Sequence, residues 1–325
     1  MTATISVIVP VYNTQDYLRA ALDSLLSQTM SFDEIIVIDD GSTDSSSEIL
    51  KEYSFKGKIK LISQKNSGQG FARNAGIEVA KSDYIYFFDS DDLVSPLLVE
   101  KIKNEIAINV DLEIIVFGAD VFYEEEFDKS SFSPKYERLN MGFYKCFFNA
   151  AVAMENSKTN YSQPCLYVLK KEVIDMHKIR FNAYLHEDDV FLLHLIAKVG
   201  ATLVMKDKFF IRRVRPGSTM TSKKNINHVN GYLQASITAK NQFENSLSAE
   251  RKFFFRKKAM HYYLNALFVS YKVEGFKKYD SVWQRIKGLP NYNLQIHEII
   301  SVIGGRRSPQ VLEHFNRFRK MIKGK

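Results

Sequence analysis

Cysteine is nearly missing from this chain: Cys146 and Cys165 are the two it has in 325 residues. A pair so spaced is neither a disulfide framework nor a zinc site, and both are expected as buried thiols of a reducing compartment. Long apolar runs are missing too. No stretch approaches the roughly 20 residues of a spanning helix, so none is expected. Met1-Thr2-Ala3-Thr4 leads straight into Ile5–Val9, which is too short for an export leader, lacks a basic flank, and reads as a first strand. The expected location is cytoplasmic, with peripheral attachment to the inner face of the cell membrane left open. Internal repeats and low-complexity tracts are absent, and 45% hydrophobic with 25% charged residues excludes a disordered or fibrous chain. The length suits one large domain, or a catalytic domain with a smaller appendage.

Charge is unevenly spread. Residues 251–325 hold seventeen Lys or Arg against four Asp or Glu, a local balance of +13 in a chain whose total is +8. That asymmetry calls for an anionic partner at the C-terminal end: a membrane surface, a polyanionic acceptor, or an oligomer contact. Nucleic acid is the least favoured partner, because no binding module accompanies the charge.

The first 118 residues alternate strand and helix. Ile5–Pro10, Glu34–Ile38, Ile59–Ile62, Tyr84–Phe88 and Leu112–Phe117 read as strands. Helices are expected near Thr14–Gln28, from a cap at Ser42 or Thr43 towards Tyr53, over Phe71–Ala80, and over Pro96–Asn109. This alternation predicts an α/β fold with a doubly wound, mostly parallel sheet. In such a sheet the loops after the strands meet on one edge, which gathers Pro10–Asn13, Asp39–Asp44, Asn66–Asn74 and Asp89–Asp92. The aromatic-rich stretch Ala119–Tyr184 reads as extended and loop elements covering that edge. From His228 onward the pattern is helical, broken near Pro290 and Gly304-Gly305 into about three pieces. The chain therefore divides into 1–225, a catalytic domain, and 226–325, a basic helical region.

Two acidic clusters carry the chemistry. Asp89-Ser90-Asp91-Asp92 follows the apolar run Tyr84–Phe88, and Asp-x-Asp spacing suits a hard divalent cation that shares its shell with phosphates. His186-Glu187-Asp188-Asp189 precedes Val190-Phe191-Leu192-Leu193 and offers a carboxylate as general base. For each cluster the competing reading is an acidic helix start. A third element, Arg212-Arg213-Val214-Arg215-Pro216-Gly217-Ser218-Thr219-Met220-Thr221, reads as a turn whose guanidinium forks match phosphate oxygens.

In order, Ile5–Asn13, Ile36–Asp44, Gly70–Gly76 and Phe87–Asp92 resemble family 2 glycosyltransferases, inverting nucleotide-sugar enzymes of the GT-A fold. The resemblance resumes at Glu187-Asp188-x-x-Phe191 and at the Arg-rich turn. It implies that Pro10, Tyr12 and Asn13 line a nucleotide pocket and that Asp40, or Asp39, meets the base. Arg73 would face the ribose or phosphates. Asp89, with Ser90 beside it, would contact ribose and sugar, while Asp91, aided by Asp89, would hold Mn2+ or Mg2+. Arg213 and Arg215 belong to the implied phosphate-closing loop. Asp188 would be the base and Glu187 would contact acceptor or sugar, with Asp189 lengthening the acidic run.

The resemblance further implies transfer of a sugar, uridine-diphosphate-linked in expectation, to a glycan or lipid-linked saccharide. Capsule, lipopolysaccharide or exopolysaccharide assembly is the implied setting. An inactive GT-A scaffold and a nucleotidyltransferase on a related fold are the rival readings.

Overall fold

The first apolar run becomes β1 (Ile5–Val11) in a computed structural model that describes residues 3–124, 127, 133–215 and 224–274. Through α1 (Gln15–Leu26) the chain reaches β2 (Glu34–Asp39), and through α2 (Ser46–Phe55) it reaches β3 (Lys60–Ser63). Then α3 (Gln69–Val79) returns it to β4 (Tyr84–Phe87). β1 pairs in parallel with β2 on one side and β4 on the other. β3 continues in parallel beyond β2. The order 3-2-1-4 therefore reverses direction at β1, which puts a topological switch point between the loops that follow β1 and β4. Open α/β sheets bind ligands at such a switch point.

Alternation along these strands builds two core layers. Ile8, Ile36, Ile38, Ile85 and Phe87 face α3. Val7, Val9, Val37, Tyr84, Tyr86 and Phe88 face the other way, against Leu18, Leu22 and Leu25 of α1. Successive strand side chains point to opposite faces, so a strand that is apolar throughout must be covered on both.

The second half departs from expectation. β5 (Leu93–Val94), α4 (Leu98–Ile108) and β6 (Ile114–Tyr123) are followed by β7 (Gly142–Tyr144) and α5 (Phe147–Asn156). Next come β8 (Tyr167–Lys170), α6 (Lys171–Met176), α7 (Glu187–Lys198) and β9 (Thr202–Val214). The stretch expected as extended and loop elements over the site edge thus also contains helices, and its extended segment β8 lies inside the sheet. β8 lies antiparallel between β4 and β6. Four residues are too few for a period to declare itself, whereas α5 buries Phe147, Phe148, Ala150, Ala151 and Met154 at readable helical spacing. Among the described residues the sheet has nine strands in the order 3-2-1-4-8-6-9-5, with β7 paired to β9.

Three smaller corrections concern local geometry. Arg212 and Arg213 end the long strand β9 and do not form a turn; its alternation is interrupted by Lys206-Asp207-Lys208, which hides the strand. The N-cap of α2 is Ser45, one turn of chain after Ser42 and Thr43, and the Asp44 carboxylate accepts the Ser46 N–H at 2.9 Å. Cys165 is buried as expected, but Cys146 is half-exposed; both are free.

The last described elements are α8 (Ile226–Glu244) and α9 (Ala249–Glu274). Ala235, Ala239, Phe254, Phe255, Ala259 and Tyr262 join the same core layer as Ile8 and Phe87. These helices are thus built onto the same face of the sheet as α3. The breaks expected at Pro290 and Gly304-Gly305 lie outside the described residues, as does most of the basic stretch. Among the described residues no helix is long and apolar enough to cross a membrane.

Candidate active site

Four loops predicted to share an edge are tied together by side-chain hydrogen bonds. Asn13, in the left-handed region at φ 51°, accepts the Thr43 N–H at 2.8 Å, and its own N–H donates to the Ser42 hydroxyl at 3.3 Å. The Thr14 hydroxyl donates to Ser90 at 3.1 Å, joining the β1 loop to the first acidic cluster. Tyr12 stands 47% exposed at the rim, while Pro10 is buried within β1 opposite Ile38.

The two acids after β2 organise loops. Asp39 accepts from the Ser42 N–H at 2.9 Å and the Ser47 hydroxyl at 2.6 Å. Asp40 is 2% exposed and accepts from Gln64 Nε2 (2.7 Å) and from the N–H groups of Ser67 (2.9 Å) and Gly68 (2.8 Å). It thereby fixes the turn into α3, where Gly68 takes φ 95°, a conformation that favours glycine.

At the end of β4, Asp91 Oδ2 accepts from Arg215 Nη2 at 2.9 Å and Nε at 3.2 Å. Asp92 is buried and accepts the Arg213 N–H at 2.6 Å, so the end of β9 is clamped onto the acidic loop. Arg213 also donates from Nε to the Asp91 carbonyl at 2.7 Å and pairs with Glu124. Its guanidinium lies over Phe122 and, with that of Arg215, over Tyr17. Arg212 turns aside to the Tyr136 hydroxyl.

Burial raises the pKa of Asp91, the charge of Asp89 raises it further, and Arg215 opposes both. Burial raises Asp92 well above the carboxylate range, with Asp91 and Asp89 adding to it. Crowded carboxylates that repel one another are hard oxygen donors of the kind a divalent cation takes, and here Arg215 already supplies positive charge to Asp91 and Arg73 to Asp89.

The second cluster opens α7. His186 caps the helix in the left-handed region at φ 65°, and its ring stacks on Tyr232 of α8 with centroids 3.9 Å apart. Gly231 makes that approach feasible: a Cβ there would meet the Leu185 carbonyl oxygen at 1.9 Å. Glu187 Oε1 accepts from Arg73 Nη1 at 3.0 Å, while Arg73 Nη2 donates to Asp89 Oδ1 at 2.8 Å. One guanidinium, 2% exposed, therefore joins the two acidic clusters.

The resemblance puts Arg73 against ribose or phosphates. Its partners here are the two carboxylates, with the Phe181 ring 5.1 Å away. Gly70 lets α3 come this close, since a Cβ would meet the Asn182 carbonyl at 2.7 Å and Glu187 Cγ at 3.2 Å.

Asp188 Oδ2 accepts from the Ser162 hydroxyl at 3.0 Å and Oδ1 from the Asp189 N–H at 2.9 Å. Asp189 Oδ1 accepts from Tyr262 Oη at 3.0 Å, and burial with the charge of Asp188 pushes Asp189 up to about 7. Burial raises Glu187 as well, against the pull of Arg73. Burial lowers His186 to about 4. His186, Asp188 and Asp189 offer ligand atoms within 4.8 Å of one another, but hydrogen bonds already engage both acids.

Sequence reasoning missed Glu124, Tyr136, Ser162 and Tyr262. No local spacing marks them: Ser162 sits in the irregular stretch before β8, and Tyr262 belongs to a helical aromatic pattern that reads as core.

The family model for glycosyl transferase family 2 matches residues 6–172. The chain is 29% identical over 248 residues to the uncharacterized glycosyltransferase EpsJ of Bacillus subtilis, covering 75% of this chain and 71% of that one. It is 26% identical over 310 residues to the minor teichoic acid biosynthesis protein GgaA of the same organism, covering 90% of this chain and 59% of GgaA. Its fold is similar to the solved structure of S. aureus TarS 1–349 in complex with UDP-GlcNAc. The TM-score is 0.68 at 19% identity, over 88% of this chain and 82% of that one. With the acid-ended strands and the matched segment in agreement, this chain belongs to glycosyl transferase family 2.

Proposed function

We propose that the protein is an inverting glycosyltransferase. It would move a sugar from a nucleotide-diphosphate donor of the UDP type to a hydroxyl of a glycan or lipid-linked saccharide in surface-polysaccharide assembly. The observation that carries this reading is the sharing of Arg73 between Asp89 and Glu187, which sets a donor-side acid and the base-bearing cluster against one another. UDP-GlcNAc in the TarS structure supports a UDP donor, and the teichoic acid role in GgaA's name supports a bacterial surface glycan as the setting.

In this reading Asp89, Ser90 and the rim residues Tyr12 and Asn13 seat the donor, while Asp39 and Asp40 shape the pocket behind them. Asp91, with Asp89, would hold Mn2+ or Mg2+, which supplies positive charge to the diphosphate when bound. Arg213 and Arg215 stabilise the charge that grows on the departing diphosphate. Asp188 takes the proton of the acceptor hydroxyl. The acceptor oxygen then bonds to the anomeric carbon from the face opposite the breaking C1–O bond, whose electron pair leaves with the nucleoside diphosphate. One displacement inverts the centre, and no covalent enzyme intermediate is needed.

The 226–325 region would serve acceptor or membrane contact. On α9, Lys252, Phe253 and Lys257 are exposed, a mixture suited to an anionic lipid surface at the inner face of the cell membrane.

UDP-glucose, UDP-galactose and UDP-GlcNAc are incubated with the protein and manganese, and released UDP is measured. Release from at least one donor, lost in Asp188→Asn with UDP binding retained, is expected. Pyrophosphate release from UTP would favour a nucleotidyltransferase, and UDP binding without any release would favour an inactive scaffold.

A further inference from the structure

Two groups outside the acidic clusters hold the acid pair at the start of α7. Ser162 donates to one oxygen of Asp188 while the Asp189 N–H donates to the other, so the carboxylate plane is set from both ends. Each oxygen keeps a second lone pair with which to take a proton. The segment that carries Ser162 is itself anchored. Arg138 is buried, donates from Nη1 to the Thr159 carbonyl at 2.5 Å, and lies 5.0 Å from the Tyr161 ring centroid. Tyr161 packs edge-on to Tyr136 at 5.2 Å.

On the far side, α9 brings Tyr262, buried in the main core layer, to donate to Asp189. Lys258, one turn earlier, pairs with Glu155 at 2.6 Å and pins α9 to α5. Gly231 and Tyr232 press α8 onto the His186 turn that starts the same helix.

We infer that Ser162 and Tyr262 are positioning residues for the reaction. Ser162 aims the Asp188 carboxylate at the acceptor hydroxyl, and Tyr262 fixes Asp189 so that the first turn of α7 keeps that aim. This rests on the reading of Asp188 as the base. It makes α9, which lies beyond the family-matched segment, part of the reaction machinery. Neither residue touches substrate; both act through the acids. A carboxylate misplaced by an ångström loses about a hundredfold in rate, which sets the ceiling for the effect.

The test compares Ser162→Ala, Ser162→Thr, Tyr262→Phe, Asp189→Asn, the Tyr262→Phe/Asp189→Asn double variant and Asp188→Asn. Each is assayed for UDP release from the donor that the parent turns over fastest, with thermal midpoint and UDP affinity measured alongside. Ser162→Ala is expected to lose roughly tenfold or more in kcat with KM for the donor unchanged, and Ser162→Thr to restore it. Tyr262→Phe keeps the ring in the core and is expected to lower kcat several-fold. The loss should not add to that of Asp189→Asn, because the two changes break one hydrogen bond.

Parental kcat in both Ser162→Ala and Tyr262→Phe, with Asp188→Asn dead, overturns this inference and leaves the base in place. Turnover by Asp188→Asn overturns the base reading instead. Should Tyr262→Phe fail to fold, the half-exposed Ser162 decides the matter through its Ala and Thr variants.

Discussion

Asp89 and Glu187 accept hydrogen bonds from the same guanidinium, although Arg73 lies 16 positions from one and 114 from the other. That one guanidinium ties two separate acidic loops together. A buried cation between two acids has no neutral replacement of equal effect. Removing it leaves carboxylates facing one another without compensation.

Arg73→Met is therefore expected to destabilise the fold by about 3–5 kcal/mol, the range seen when one partner of a buried pair is deleted. Arg73→Lys should recover part of the loss, since a single ammonium cannot present the planar fork that serves both acids. Urea unfolding of the parent and both variants checks the order. Equal midpoints would mean that the pairing carries no stability.

Gly231→Ala tests the clamp of α8 on the His186 turn. The added methyl would fall 1.9 Å from the Leu185 carbonyl oxygen, which belongs to backbone and cannot swing aside. A loss of about 3 kcal/mol is expected, the upper part of the usual range for overpacking. Turnover should fall by more than UDP affinity, because the displaced turn precedes Asp188, the proposed base. A variant with parental turnover and stability would show that α8 can shift freely.

The acid cluster should show two opposed pH effects. Asp189 keeps its proton up to about 7 in the fold, while the unfolded chain releases it near 3.8, so this group lowers stability as pH rises between those values. His186 stays neutral down to about 4 in the fold, while the unfolded chain gains a proton below 6.5, so it lowers stability as pH falls through that window. Asp189 faces Asp188, Tyr262, Ser162 and Lys258, His186 faces Asp188, Lys224 and His228, and the two face each other with His186 Nδ1 3.6 Å from Asp189 Oδ2.

Each slope is at most about 1.4 kcal/mol per pH unit, and in the parent they oppose one another. Asp189→Asn should leave a protein that weakens on acidification below pH 6.5. His186→Asn, a residue that tolerates the left-handed backbone, should leave one that weakens as pH rises towards 7. Denaturant midpoints from pH 4.5 to 7.5 measure both. Identical profiles for the parent and the two variants would refute the assignment.

Chelation tests the first cluster. EDTA should suppress UDP release and added manganese should restore it. Asp91→Asn should abolish manganese binding measured by calorimetry, whatever its effect on turnover. Undiminished manganese affinity in that variant would remove Asp91 from the ion site.

Much of this was readable from residue order. The strands up to Phe87 and the polar loops after them follow from short, continuous apolar runs that end in acids, because a strand covered on both faces is apolar at nearly every position. The antiparallel entry of β8 between β4 and β6 was not readable: Tyr167–Lys170 is too short to show a period, and strand neighbours are chosen by packing. Arg212 and Arg213 looked like a turn for a related reason, since the charges in Lys206-Asp207-Lys208 mask a strand of 13 residues.

The chain's residue order alone determined the α/β class, the family, and which loops carry acid. Tertiary structure decided who partners whom: Arg73 with Asp89 and Glu187, Ser162 with Asp188, Tyr262 with Asp189. Local periodicity reports which face of an element meets water. The choice of a hydrogen-bond partner across the fold depends on strand register and helix packing, and no spacing along the chain encodes it.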